Sequence, residues 1–93
     1  MENTFQAMIS TLRQAQQAVR DAMAPLEAQH LDRSIASDLL EAVHSFAIQA
    51  ETTLVMMAER DADETISDAA EELATFFRDT EAWVEALLAS SRG

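Results

Sequence analysis

The chain has no cysteine, no lysine and no tyrosine; its one proline is Pro25 and its one glycine is the last residue, Gly93. Without cysteine there is no disulfide framework, no thiolate zinc site and no cysteine nucleophile. With one internal proline and no internal glycine, the punctuation of hairpins and strand turns is missing, which argues against a β-rich fold. Aromatic residues are only 5% of the chain, four Phe and one Trp. No apolar run reaches the roughly eighteen residues of a membrane span, and Met1 to Ser10 has neither a basic n-region nor an apolar run long enough for a signal peptide. A cytoplasmic location is therefore expected.

What is present is apolar and acidic. The chain is 48% apolar, and its 17 acidic residues against six basic ones give a net charge of −11 and a pI near 4.2. That field opposes a phosphate backbone, so direct nucleic-acid binding is not expected. All six basic residues are Arg, which fits a GC-rich bacterial coding bias. Ninety-three residues make at most one domain, and a helical chain this short needs an efficiently packed core or an oligomeric partner.

Hydrophobic spacing gives three helices. In the first, about 4–30, Phe5, Met8, Ile9, Leu12, Ala15 and Val19 share one face that continues to Leu26, with Asn3 and Gln6 set as a capping box. Pro25 predicts a kink or break, and residues 24–33 are the expected corner. The second helix, about 33–60, is opened by Asp32 or Ser34. It presents Ile35, Ala36, Leu39, Val43, Ala47 and Met57 on a wide face. The third, about 62–89, takes Asp61 as cap with Glu64 at its third position, and buries Ile66, Ala70, Leu73, Phe77, Thr80 and Val84. Trp83 falls on the same face and is read as packing. The simplest arrangement is an all-α, up-down-up antiparallel three-helix bundle, expected to be homodimeric.

The candidate interaction surface is in the second half of the second helix, where Leu54-Val-Met-Met-Ala58 is apolar nearly all round. Ile48, Val55 and Met56 fall outside the core face, and His44, Ile48, Glu51 and Val55 form a second, mixed stripe. A contiguous apolar patch on a small protein marks an interface, and methionine adapts to differently shaped partners. Partner binding is accordingly assigned to His44, Ile48, Glu51, Val55 and Met56.

A second feature is the charge of residues 59–85, which hold ten acids and two Arg, a net of −8. Asp61, Glu64, Asp68, Glu72 and Asp79 fall on one outward side at helical spacing. Such a row keeps a helical protein soluble, and it also offers an imitation of duplex phosphates to a nucleic-acid-binding protein.

Two Glu-x-x-His pairs, Glu27 with His30 and Glu41 with His44, have the spacing used by di-iron bundles. Helical phase puts Glu41 nearly opposite the core face and His44 at its edge, so no metal or cofactor is expected. There is no glycine-bracketed nucleophile elbow, phosphate loop or zincin motif, and catalysis is not expected. The reading is a small acidic protein that binds another protein as a regulator or inhibitor. A nucleic-acid mimic, a subunit of a helical assembly and, last, a carboxylate/His metal bundle are the alternatives.

Overall fold

The computed structural model describes residues 2–28 and 32–90, with side chains over 4–26 and 32–90. It contains three α-helices, α1 (Glu2–Ala28), α2 (Arg33–Glu59) and α3 (Glu64–Ser90), and no strand among the described residues. Each helix has 27 residues, about 40 Å at the standard rise, and the molecule is correspondingly long, 49 × 19 × 16 Å. The three pack around one apolar core that runs from Phe5, Leu12 and Val19 in α1 through Val43 in α2 to Phe77 and Val84 in α3.

The helices are not evenly spaced. α2 and α3 lie closer to each other than either lies to α1. Side-chain size differs in the same sense. Ala36, Ala47, Ala50 and Ala70 of α2 and α3 are fully buried and Ala74 nearly so, and small buried residues allow two backbones to approach, whereas α1 buries mainly Phe5, Ile9, Leu12, Val19 and Leu26.

Pro25 lies inside α1 and does not end it. It is exposed and three residues from the helix end, so its missing N–H removes one hydrogen bond in the last turn only. Asn3 is likewise already within α1, which begins at Glu2, so the expected start at Thr4 is moved outward; the Asn3 side chain lies outside the described ones. Asp32 is the N-cap of α2: its carboxylate accepts from the N–H of Ser34 at 3.0 Å and of Ile35 at 3.2 Å.

The α2–α3 corner corrects the expected cap. Asp63, not Asp61, starts α3: its carboxylate accepts from the Thr65 N–H at 2.8 Å, and its carbonyl accepts the first helical bond, from Ser67. Asp61 instead ends α2. It adopts φ 56°, and the chain then returns so that the Ala62 N–H donates to the carbonyl of Met57 at 3.0 Å, the closing bond of a Schellman turn. Glycine usually takes this position, but an aspartate tolerates it. Asp61→Gly is therefore expected to raise stability by about 0.5–1 kcal/mol, a few degrees in Tm, read by thermal melting. An unchanged or lower Tm would mean that the aspartate side chain offsets its backbone cost.

Two core positions depart from the spacing rule. Ile35 is 50% exposed, while Thr53, five helical turns along the same line, is buried. Ile35 sits in the first turn of α2 at the end of the bundle, whereas Thr53 lies beside α1. Burial of the Thr53 hydroxyl is compensated because it donates to the Gln49 carbonyl at 2.8 Å.

Candidate functional site

The loose seating of α1 leaves a groove on each side of it. The one toward α2 has a volume of about 730 Å³ and an apolar floor made by Ala7, Met8 and Leu12 of α1 with Ile48 and Met56 of α2. Thr4, Thr11, Thr52, Thr53 and Gln49 complete it, so every residue that lines it is uncharged. On a chain of net −11 this is a distinctive surface. The hydroxyls of Thr11 and Thr53 are directed to helical carbonyls, Ala7 at 3.0 Å and Gln49 at 2.8 Å. They are occupied within their own helices.

The five residues assigned to partner binding divide between two places. Ile48 and Met56 meet in this groove, Ile48 being 48% exposed. Val55 is 57% exposed and lies outside the groove lining. His44 and Glu51 are engaged by α3 of the same chain. His44 Nδ1 bonds the Glu81 carboxylate, and Arg78 grips the Glu51 carboxylate with two guanidinium nitrogens, one of them Nε at 2.8 Å, while donating to Glu81 at 2.7 Å. A bidentate pair of this kind fixes geometry as well as charge. The sequence reading missed Arg78 and Glu81. Their signal was the i, i+3 spacing of a rare basic residue and an acid beside the mixed stripe.

Arg78 sets the protonation of this network. The hydrogen bonds it donates hold the carboxyl groups of Glu51 and of Glu81 below their ordinary value of 4.5, His44 adding to the effect on Glu81; the two carboxylates in turn raise Arg78. Acids with depressed folded-state values contribute stability that is present above about pH 4.5 and lost as pH falls through their lowered values. The pairs are partly solvated, with side-chain exposures of 40% for Arg78 and 46% for Glu51, so the contribution is small. The Tm advantage of the native chain over Arg78→Gln is expected to be constant between pH 6 and 8, about neutrality, and to shrink steadily below pH ~4.5. Melting both proteins across this range checks it. A difference that persists undiminished at about pH 2 would remove the ionic account.

The second groove, of about 610 Å³, lies between α1 and α3 and is amide-rich, with Gln6, Gln14, Gln17 and Arg13 around Ile9 and Ile66. Two members of the acidic row, Asp68 and Glu72, line a shallow hollow on α3 with Glu71 and Thr75. Glu64, Asp68, Glu72 and Asp79 are all exposed on α3; Asp61 belongs to the turn before it and is not part of the helical row. Of the two Glu-x-x-His pairs, His30 and the Glu27 side chain lie outside the described ones, Glu41 is exposed and His44 is bonded to Glu81. Among the described residues no three His, Asp or Glu side chains converge as a metal site, and no helix is long and apolar enough to cross a membrane.

No family model, curated protein or solved structure matches this chain.

Proposed function

We propose that the chain is a cytoplasmic, non-catalytic protein-binding protein, a regulator or inhibitor that receives a helix in the groove between α1 and α2. The observation that carries this reading is that the groove between α1 and α2 of an acidic molecule has an apolar floor and a lining free of charge, with Ile48 about half exposed in it. Helix-in-groove binding needs such a floor. An up-down-up antiparallel arrangement belongs to the same proposal. It is supported by the order of cross-helix pairs, Arg33 with the Leu88 carbonyl, His44 with Glu81 and Glu51 with Arg78, in which the numbers rise on α2 as they fall on α3.

The groove admits two kinds of occupant, a second copy, which would give the homodimer expected from the sequence, or a helix of another protein. Light-scattering mass over a wide concentration range, for the native chain, Ile48→Glu and Val55→Glu, tests the first. Loss of association in Ile48→Glu with helicity retained supports a groove-mediated dimer. Loss of folding in that variant would instead show that the position belongs to the core.

The exposed acidic row of α3 favours a second reading, an imitation of nucleic-acid phosphates offered to a basic protein. Binding of that kind weakens steeply with salt. Reversing Asp68 and Glu72 to Lys is expected to remove it and to leave groove binding intact.

A further inference from the structure

The groove has ends, and the ends are acidic. One line of α2 at spacings of three and four runs from Asp38, Glu41 and Ser45 through Ile48, Thr52 and Met56 to Glu59. Every member but Met56 is exposed, and Met56 is half-buried. Ile48, Thr52 and Met56 line the groove. The corner beyond Glu59 continues the charge, since residues 59–64 are net −3 with Arg60 counted. Among the described residues the opposite wall brings no charge along its own line. Thr4, Ala7 and Thr11 of α1 are followed at the same spacing by Ala15, Ala18, Ala22 and Pro25, all small and uncharged. From Glu41 to Glu59 is about 27 Å at the helical rise.

We infer that the occupant is an amphipathic helix of a different protein, apolar in its middle turns and basic at both ends. This rests on the groove being a binding site, as proposed above. The apolar floor takes the middle of the helix, and Asp38 and Glu41 at one end with Glu59 at the other select its charges. A second copy fits poorly. A two-fold interface sets the same patch against itself, and because acids bound the apolar stretch on both sides, Glu41 meets Glu41 in one direction and Glu59 in the other. Two chains of net −11 would also repel before contact.

The test uses the full chain and two labelled peptides of about 20 residues, long enough for the line. Both have a Leu/Ala middle; one has Lys at each end and the other Glu. Fluorescence anisotropy at near-physiological salt is expected to show the Lys-ended peptide binding at least about tenfold more tightly. Two variants separate a seated helix from diffuse attraction. Ile48→Glu makes the chain more acidic yet spoils the floor, so seated binding weakens about tenfold, whereas diffuse attraction strengthens. The double variant Asp38→Lys, Glu41→Lys keeps the floor and is expected to reduce the preference for Lys ends.

Equal affinity for the two peptides, both lost in Ile48→Glu, would overturn the basic-ended partner and leave the groove reading standing. Stronger binding of the Lys-ended peptide to Ile48→Glu would overturn the seated helix. If neither peptide binds, the inference falls, and the light-scattering result decides the groove reading separately. Self-association lost in Ile48→Glu would retain that reading with a second copy as occupant.

Discussion

Replacing Phe77 with alanine is expected to destabilise the fold by about 3–5 kcal/mol, the cost of deleting a fully buried ring that its neighbours cannot refill. Phe77 is completely enclosed, and it is the middle of an aromatic chain that crosses the molecule. Its ring lies 5.5 Å from that of Phe46 on α2 and 5.3 Å, edge to face, from that of Phe76 beside it on α3. The Phe76 ring in turn carries the Arg20 guanidinium of α1, 5.2 Å from its centre. Offset and edge-to-face rings gain attraction beyond their buried area, and a guanidinium over a ring adds a cation–π contribution. A chain of 93 residues has a total stability of about 5–14 kcal/mol, so this one substitution removes a large share of it. Urea unfolding followed by circular dichroism measures the loss. Phe77→Leu, which keeps most of the volume, is expected to cost less than half as much. A loss under about 1 kcal/mol for the alanine variant would mean that the ring is not held between the helices as described.

The helices and their inner faces were legible in the sequence because a periodic stripe is a local property. Phe5, Ile9, Leu12, Ala15, Val19 and Leu26 are spaced as one face of a helix whatever packs against them, and all six are buried. The misses arise where burial depends on what lies alongside. Ile35 and Thr53 occupy the same phase of α2, yet the isoleucine is exposed at the end of the bundle and the threonine is buried beside α1. Hydropathy ranks them in the reverse order.

The same limit applies to the candidate site. That Ile48 and Met56 leave the core face follows from phase alone. That they form a groove with Ala7 and Met8, while His44 and Glu51 turn to α3, depends on which helices flank α2 and how closely they approach. At the corner, Asp61 and Asp63 are chemically identical cap candidates, and only the closing bond from Ala62 to Met57 decides that Asp61 ends one helix and Asp63 starts the next.

The unequal spacing of the helices yields the other large effect. If buried alanines are what lets α2 and α3 approach, then enlarging one must push them apart. Ala47→Leu is expected to cost about 1–3 kcal/mol or more, because a fully buried position has no space for three further carbons without moving a backbone or forcing a strained rotamer. The displacement has a second consequence. His44, Glu51 and Phe46 are on the same helix as Ala47, so separation of α2 from α3 also lengthens their bonds and ring contact with Glu81, Arg78 and Phe77. The variant is therefore expected to lose, along with stability, the pH-dependent advantage that the Arg78 network confers on the native chain. Ala18→Leu is the control, because the same added volume on the exposed face of α1 should change stability by no more than about 0.5 kcal/mol. Comparable melting temperatures for the two variants would show that α2 and α3 are not held by close approach, and the grooves that flank α1 would then need a cause other than the difference between small and large residues at the three interfaces.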